Sequence, residues 1–552
     1  MLRPLGPRAV GRTLRGLWRF GPSPAMLLAF AAARNPLRTA VIYDRGAISY
    51  GELQRRAEAI AAALHAHAHG RVGTVAILCR NHAGFVAATA AGAQLGAELV
   101  FINTELPAAA LAALLRRHSP DILIADQEYD AAIAAADYPG LHVRAWVEAG
   151  GSGALSLEAL AAERHPAPPA VHRPVRITLL TSGTSGFTKG VPRAIPLRSI
   201  LELATTGAAA TRMRAADTVV TGPPMFHGFG LAALMATLAL GATTVCHRRF
   251  DAARTLADID EHGATVLFLV PVMVQRLVAL SANERAAVDV SRLRRAITGA
   301  APIAPATVAA FVETYGPILV NGYGSTETGV VAIATPEDLL AEAGTVGKPA
   351  LGVSVRILRA DRTNAAPGEV GSIFIRSGLV FTGYTPDPHA EERAKEVVDG
   401  YVDTGDLGHL DDAGRLYVDG RSDDMIVSGG ENIFPGEVAN RLAAHPALAD
   451  VVVLGVPNPE YGQTLRAFVV LVPGARTPTT DDLNDHVRAA LERYKVPKEY
   501  VFLDRIPRNA SGKVLRKNLA AASAGTGSSP GTVSRRRRWR RSRPASPRAA
   551  DR

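Results

Sequence analysis

The sequence predicts an α/β protein: a large, multi-subdomain N-terminal lobe with mixed sheets flanked by helices, then a small mobile α+β C-terminal domain. Three observations carry this. Short apolar runs of strand length alternate with helix-period segments from Arg34 onward. Between Gly344 and Gly371 the composition shifts toward Gly, Pro and β-branched residues (VGKPALGVSVRIL, GEVGSIFI), which marks a β-rich subdomain in that lobe. Near Gly420 a polar stretch, DGRSDDM, suits a hinge, and a strand–strand–helix pattern of its own follows it.

In chain order, TVAILC (74–79) reads as a strand and HAGFVAATAAGAQLGA (82–97) as a helix. DILIAD (121–126) is the next strand, and VRITLLTSG (175–183) runs into a glycine-rich loop. The longest apolar run, Phe229 to Cys246, has the length of a bilayer span, but Gly241 and the change to ATTVC predict a buried helix, a turn and a strand. ATVLFLV (264–270), RRAITGA (294–300) and PILVNGYG (317–324) are further strands. Beyond the hinge, 451–472 gives two strands, and TTDDLNDHVRAALERY (479–494) opens a helix on Thr/Asp capping residues. The expected domains are therefore a basic and apolar arm at 1–34, a large lobe at 35–420, a small domain at 421–520 and a disordered Arg-rich tail at 521–552.

Composition excludes several classes. The 552 residues are 47% hydrophobic, which rules out a wholly disordered chain. Two cysteines, Cys79 and Cys246, cannot build a disulfide framework, and no Cys/His spacing points to zinc. The net charge of +10 divides into +5 on residues 1–20, +8 on residues 521–552 and −3 on everything between. A mildly acidic body argues against a nucleic-acid partner. The basic ends, with Trp18 and Trp539, suit weak peripheral contact with an anionic membrane, so the expected location is cytoplasmic or at the inner face of the cell membrane. A homodimer is compatible with the sequence.

The chemistry-bearing segments begin with T181-S-G-T-S-G-F-T-K189-G190. Its small residues let backbone N–H groups converge on phosphate oxygens. Thr181, Ser182, Thr184 and Ser185 add hydroxyl donors and Lys189 adds charge. The spacing is not that of a Walker loop, because Gly190 and Val191 follow the lysine. NGYGSTETG (321–329) offers the Tyr323 ring for base stacking and Glu327 as a Mg²⁺ ligand. YVDTGD (401–406) places Asp406 where a carboxylate can accept ribose hydroxyls. GRSDDMIVSGGENIFPGEV (420–438) opens the small domain, and RIPRNASGKVLRKNL (505–519) presents Lys513.

These five segments, in this order, resemble the adenylate-forming superfamily of acyl-CoA synthetases, luciferases and peptide-synthetase adenylation domains, over about Pro36 to Leu519. The wording is similar to actinobacterial fatty-acid–CoA ligases. The resemblance implies an ATP phosphate loop at Thr181, Ser182, Gly183, Thr184, Ser185, Gly186, Thr188, Lys189 and Gly190, where Thr188 replaces the family's usual proline. It implies adenine contacts at Gly299, Ala300, Ala301 and Pro302, and a base-stacking strand at Asn321, Gly322, Tyr323 and Gly324. Thr326 matches the phosphate-contacting threonine, Glu327 the Mg²⁺ ligand, Asp406 the ribose carboxylate and Arg421 its partner. Asp423 matches the hinge, Lys513 the adenylation lysine, Gly429 and Gly430 the thiol-side turn, and His227-Gly228 the acyl-pocket gate.

The implied reaction joins a carboxylate to AMP with release of pyrophosphate, then passes the acyl group to coenzyme A. ATP, Mg²⁺ and coenzyme A are the expected cofactors and co-substrates. PMFHGFG (224–230) lacks the aspartate that an amino-acid adenylation domain uses, and a medium- or long-chain fatty acid is the expected substrate. The alternative is a fatty acyl-AMP ligase that delivers the acyl group to a carrier protein.

Overall fold

The computed structural model describes residues 20–21, 23–148, 155–170, 175–182, 188–193, 197–325, 327–380, 395–428, 431–509, 512–516 and 518–519, with backbone alone for 181–182, 188–193, 197, 200, 427 and 432. Two large sheets form the N-terminal lobe. In one, strands Leu141–Trp146, Ile122–Asp126, Thr74–Leu78, Glu98–Phe101 and Ile177–Ser182 lie parallel in that order, and Thr188–Arg193 closes the edge antiparallel. The other has nine strands. Its parallel centre runs Leu319–Ser325, Arg295–Gly299, Val266–Leu269, Thr218–Thr221, Thr243–Val245 and Thr39–Tyr43, and antiparallel strands flank it on both sides.

The helix Ala83–Gln94 packs beside both sheets. Its alanine- and glycine-rich sequence, with hardly a polar side chain, leaves no face for water, and eleven of its residues are buried. The apolar run after His227 folds as helix Gly228–Leu240, a left-handed Gly241 cap (φ 68°) and strand Thr243–Val245, as its composition predicts. Among the described residues, no helix is long and apolar enough to cross a membrane.

One expectation is corrected. Pro24–Arg34, placed by sequence in a loose or membrane-touching arm, is a helix N-capped by Ser23, with Ala25, Leu28 and Ala31 buried in the core of the large lobe. Its Ala/Leu stripe resembles a membrane-seeking segment because the same apolar face serves either environment. Residues 1–19 and 521–552, which carry the basic charge, lie outside the described residues.

The β-rich subdomain extends past Gly371: strands Ser354–Leu358, Gly371–Arg376, Tyr401–Leu410 and Leu416–Arg421 form an antiparallel sheet with a short strand, Val397–Val398. The C-terminal unit builds its own sheet from Ile426–Ser428, Glu431–Ile433, Leu448–Asn458, Gly462–Leu471 and Glu499–Phe502. Helices Pro435–Ala443 and Thr480–Arg488 bury Val438, Leu442, Leu483 and Val487 in a separate core. Thr479 and Asp482 make the reciprocal capping box that starts the second helix. That helix stops at Arg488, several residues short of the periodic pattern.

Candidate active site

The candidate residues gather beyond the carboxyl ends of the parallel strands, where open α/β sheets bind ligands. Ile177–Ser182 and Thr188–Arg193 form a hairpin in which Thr181 pairs with Lys189 and Ser182 with Thr188. The strands on either side of the glycine-rich segment therefore pair with each other. Gly183, Thr184, Ser185 and Gly186 between them lie outside the described residues, as do Thr326, Gly429 and Gly430.

Arg295–Gly299 and Leu319–Ser325 bring Gly299 beside Gly322 and Thr298 beside Asn321. A Cβ on Gly299 would sit 2.7 Å from the Gly322 carbonyl oxygen, so only glycine permits this approach. Ala300 follows with φ 67°, a left-handed turn that leads into Ala301 and Pro302. Past a bulge at Tyr323/Gly324 the chain reverses, and a Cβ on Gly324 would overlap the Gly329 carbonyl oxygen at 2.0 Å. Ser325 and Thr328 hydrogen-bond across this reversal, and the Glu327 N–H donates to Ser325 Oγ at 3.2 Å.

Tyr323 Oη donates to Asp406 Oδ2 at 2.5 Å, across 83 residues of sequence. Asp406 is on Tyr401–Leu410, directly opposite Arg421 on Leu416–Arg421, whose guanidinium lies 3.7 Å from Asp406 Oδ1. Burial raises the Asp406 carboxyl above its ordinary range, and the phenol hydrogen bond and Arg421 pull it back. The Tyr323 phenol rises well above its ordinary value through burial and the facing carboxylate, so it stays a donor. Sequence reading found both residues but not their contact. It also missed Lys395, whose ammonium donates to the Asp403 and Thr404 carbonyls at 3.2 and 2.8 Å, holding the strand just before Asp406.

His227 begins helix Gly228–Leu240. A Cβ on neighbouring Gly228 would lie 3.4 Å from Leu179 of the strand that leads to Thr181. Its Nε2 is shielded from solvent and has no hydrogen-bond partner among the described residues. Burial brings the imidazole down to about 4, so it is neutral at physiological pH. Asn81, also missed from sequence, fixes the approach to His227: its amide donates to the Pro223 carbonyl and accepts from the Met225 N–H at 2.9 and 2.7 Å. The polar Arg80-Asn81-His82 run that breaks off the apolar strand was the available signal. Phe229 packs against Phe268 with ring centroids 5.7 Å apart, and its ring edge faces Gly299.

Ser422 donates through both N–H and Oγ to the Gly405 carbonyl, at 3.0 and 3.1 Å. Two residues on, Asp424 pairs with Arg516 of the C-terminal segment. Asp423, half-exposed and paired with Arg421 at 2.9 Å, lies between these two anchors. Lys513 follows a tight turn in which Asn509 Oδ1 accepts its N–H at 2.8 Å. Gly512 in that turn (φ 81°) is buried against the large lobe, with a Cβ position only 3.1 Å from Val272 and 3.4 Å from Val270. Val270 directly follows the Val266–Leu269 strand, so the Lys513 turn rests on the same sheet end as Gly299 and Tyr323.

A carboxylate bonded to a phenol and opposite an arginine, glycine-lined strand ends and a turn carrying Lys513 from the C-terminal unit thus lie around one end of the large sheet. The AMP-binding enzyme profile matches residues 28–385, and the AMP-binding enzyme C-terminal domain profile matches 437–513. Indoleacetate–CoA ligase of Aromatoleum aromaticum is 34% identical over 495 residues, covering 88% of this chain and 96% of the relative. A fatty acid–[acyl-carrier-protein] ligase of Streptomyces coeruleorubidus is 30% identical over 499 residues, covering 89% and 94%. The solved o-succinylbenzoate CoA synthetase of Bacillus subtilis, in complex with its acyl-adenylate intermediate, superimposes with a TM-score of 0.75 at 28% identity, covering 92% of this chain and 99% of that one. The chain belongs to the AMP-binding enzyme family and is an ATP-dependent, AMP-forming, acid-activating ligase.

Proposed function

We propose that the protein is an acid–CoA ligase with two half-reactions. In the first, a substrate carboxylate oxygen attacks the α-phosphorus of ATP, and the bond to the bridging oxygen breaks to release pyrophosphate. In the second, the coenzyme A sulfur attacks the acyl carbon, the thiol proton leaves, and AMP departs. The observation that carries this reading is the Gly512 turn seated on Val270 and Val272, beside the sheet end that carries Tyr323, whose phenol bonds Asp406 of the neighbouring sheet.

In this reading Asp406 accepts the ribose hydroxyls, oriented by the Tyr323 phenol and Arg421. Tyr323 and the Gly299–Pro302 turn hold the base, and Lys189 with the hydroxyls of 181–188 meets the phosphates. Lys513 bridges the incoming carboxylate and the α-phosphate, a contact that gains strength as charge develops in the transition state. Mg²⁺ takes one or two carboxylates together with phosphate oxygens, and the oxygen-rich Ser325–Thr328 reversal that presents Glu327 fits it. When bound there it neutralises phosphate charge. The second half-reaction needs Lys513 out of the thiol's path. Rotation at Asp423, between the anchored Ser422 and the Arg516-bound Asp424, supplies that movement and brings Gly429–Gly430 inward.

The sequence points to a fatty acid. The indoleacetate and o-succinylbenzoate relatives are named for compact ring-bearing acids instead, and we take that reading for this chain. The test is an acid panel with ATP and Mg²⁺, with and without coenzyme A, following AMP and acyl-CoA. Aryl-acetic and aryl-propanoic acids are expected to exceed dodecanoate in kcat/KM. Preference for dodecanoate restores the fatty-acid reading, and adenylate that never moves to coenzyme A supports carrier-protein delivery.

A further inference from the structure

Outside the active-site segments, the end of helix Tyr50–His67 meets the residues that follow helix Leu157–Ala162. His67 Nε2 and His165 Nε2 both point at one oxygen, Glu163 Oε2, at 3.0 and 2.6 Å. His67 and Glu163 are 96 residues apart, so no sequence spacing reveals the set. The two imidazoles meet edge to face with centroids 6.1 Å apart. All three potential ligand atoms lie within 4.8 Å of one another, and all three side chains keep about a third of their surface open to solvent.

We propose that His67, Glu163 and His165 form a zinc site, with water in the fourth position. Tetrahedral zinc with bonds of about 2.0–2.1 Å needs ligand atoms about 3.3 Å apart, so movements of less than about 1 Å convert the present hydrogen bonds into coordination. Two imidazole nitrogens and one carboxylate suit a borderline cation such as Zn²⁺ and do not suit Mg²⁺, which prefers oxygen donors.

Two other clusters of potential ligands fail the same inspection. In Cys79–His82–Asp126, His82 is satisfied at both nitrogens, by the Gly84 N–H at 3.0 Å and by Asp126 at 2.8 Å. In Asp258–Glu261–His262, Asp258 is taken by Arg254 and His247. Zinc at the proposed site would pin two helix ends together and stabilise the folded lobe by mass action.

The experiment titrates ZnCl2 into the untagged, chelator-stripped full chain, read by calorimetry and by thermal melting. Wild type is expected to take up one equivalent with a rise in melting temperature. E163Q and H165A should each weaken binding by more than about tenfold, the lower end of what even an outer-shell change costs a metal site. H69A, on the same helix end but outside the set, should bind as wild type does. Ligase activity with ATP and Mg²⁺ verifies that each variant folds. If H165A fails that check, H67Q replaces it with the same expectation. Uptake below half an equivalent overturns the proposal. So does equal affinity in wild type, E163Q and the histidine variant, or a loss in H69A as large as theirs.

Discussion

Removing one oxygen from Tyr323 perturbs the nucleotide end of the site at a single hydrogen bond. In Tyr323→Phe the ring remains, but Asp406 Oδ2 loses the donor now 2.5 Å away, leaving Arg421 at 3.7 Å as the nearest charged partner. A hydrogen bond to a charged group is worth about 1.5–3 kcal/mol, equivalent to raising the Asp406 pKa by about one to two pH units. The sign follows from linkage. Burial already holds the folded carboxyl above its unfolded value, so Asp406 binds protons more readily in the folded state. Its contribution to stability is present below the unfolded pKa and is lost as pH rises through the folded one. The substitution widens that window. Y323F should therefore melt lower at pH 7.5, with the deficit shrinking toward acid pH. If Asp406 holds the ribose as proposed, the acid limb of ATP affinity should move up by about one to two pH units, because only a carboxylate can accept both hydroxyls. Isothermal titration with ATP across pH 5–8 and melting at matched pH read both effects. An unmoved acid limb together with an unchanged melting temperature would refute the assigned coupling of Tyr323 and Asp406.

Two further substitutions probe the other edges of the site. His227 has an unfolded pKa near 6.5 and a folded value of about 4, so the unfolded chain binds more protons between them and stability falls as pH drops through that window. Comparing unfolding at pH 7.5 and 4.5, His227→Gln should lose about 2–3 kcal/mol less than wild type, and equal losses would contradict the burial of a neutral imidazole. Gly512→Ala must hold a left-handed backbone at about 1–2 kcal/mol and press a methyl toward Val272 at 3.1 Å. Pyrophosphate exchange should fall about 5- to 30-fold while the melting temperature of the large lobe stays within error, and unchanged exchange would mean that the turn is not seated during adenylation.

Most of the architecture was legible because it rests on local periodicity. The helix, Gly241 cap and strand after His227 follow from one apolar run and one glycine, and the Thr479–Asp482 box follows from residue types three apart. The site was legible as a set of segments but not as contacts. Tyr323 and Asp406 stand 83 residues apart, and Asn81 reaches Pro223 across 142. Such pairs depend on strand order, which no local pattern encodes. Glycine positions were visible, whereas what each glycine approaches, such as the Gly322 carbonyl against Gly299, exists only after the strands pair. The Pro24–Arg34 helix was misjudged for a related reason: amphipathic patterning says that a face is buried, not against what.

The division of labour between the half-reactions is tested most directly with Lys513→Ala. The variant would be assayed once for acyl-adenylate formation from ATP and acid, and separately for acyl-CoA formation from supplied acyl-adenylate and coenzyme A. Lys513 sits on a turn seated against the large lobe through Gly512, and in the proposed mechanism its charge acts on the α-phosphate only in the first step. Loss of one well-placed electrostatic contact costs about 10²–10³ in rate, so adenylation should fall by at least that much while thioester formation stays within a few-fold of wild type. Equal loss of both half-reactions would contradict the account.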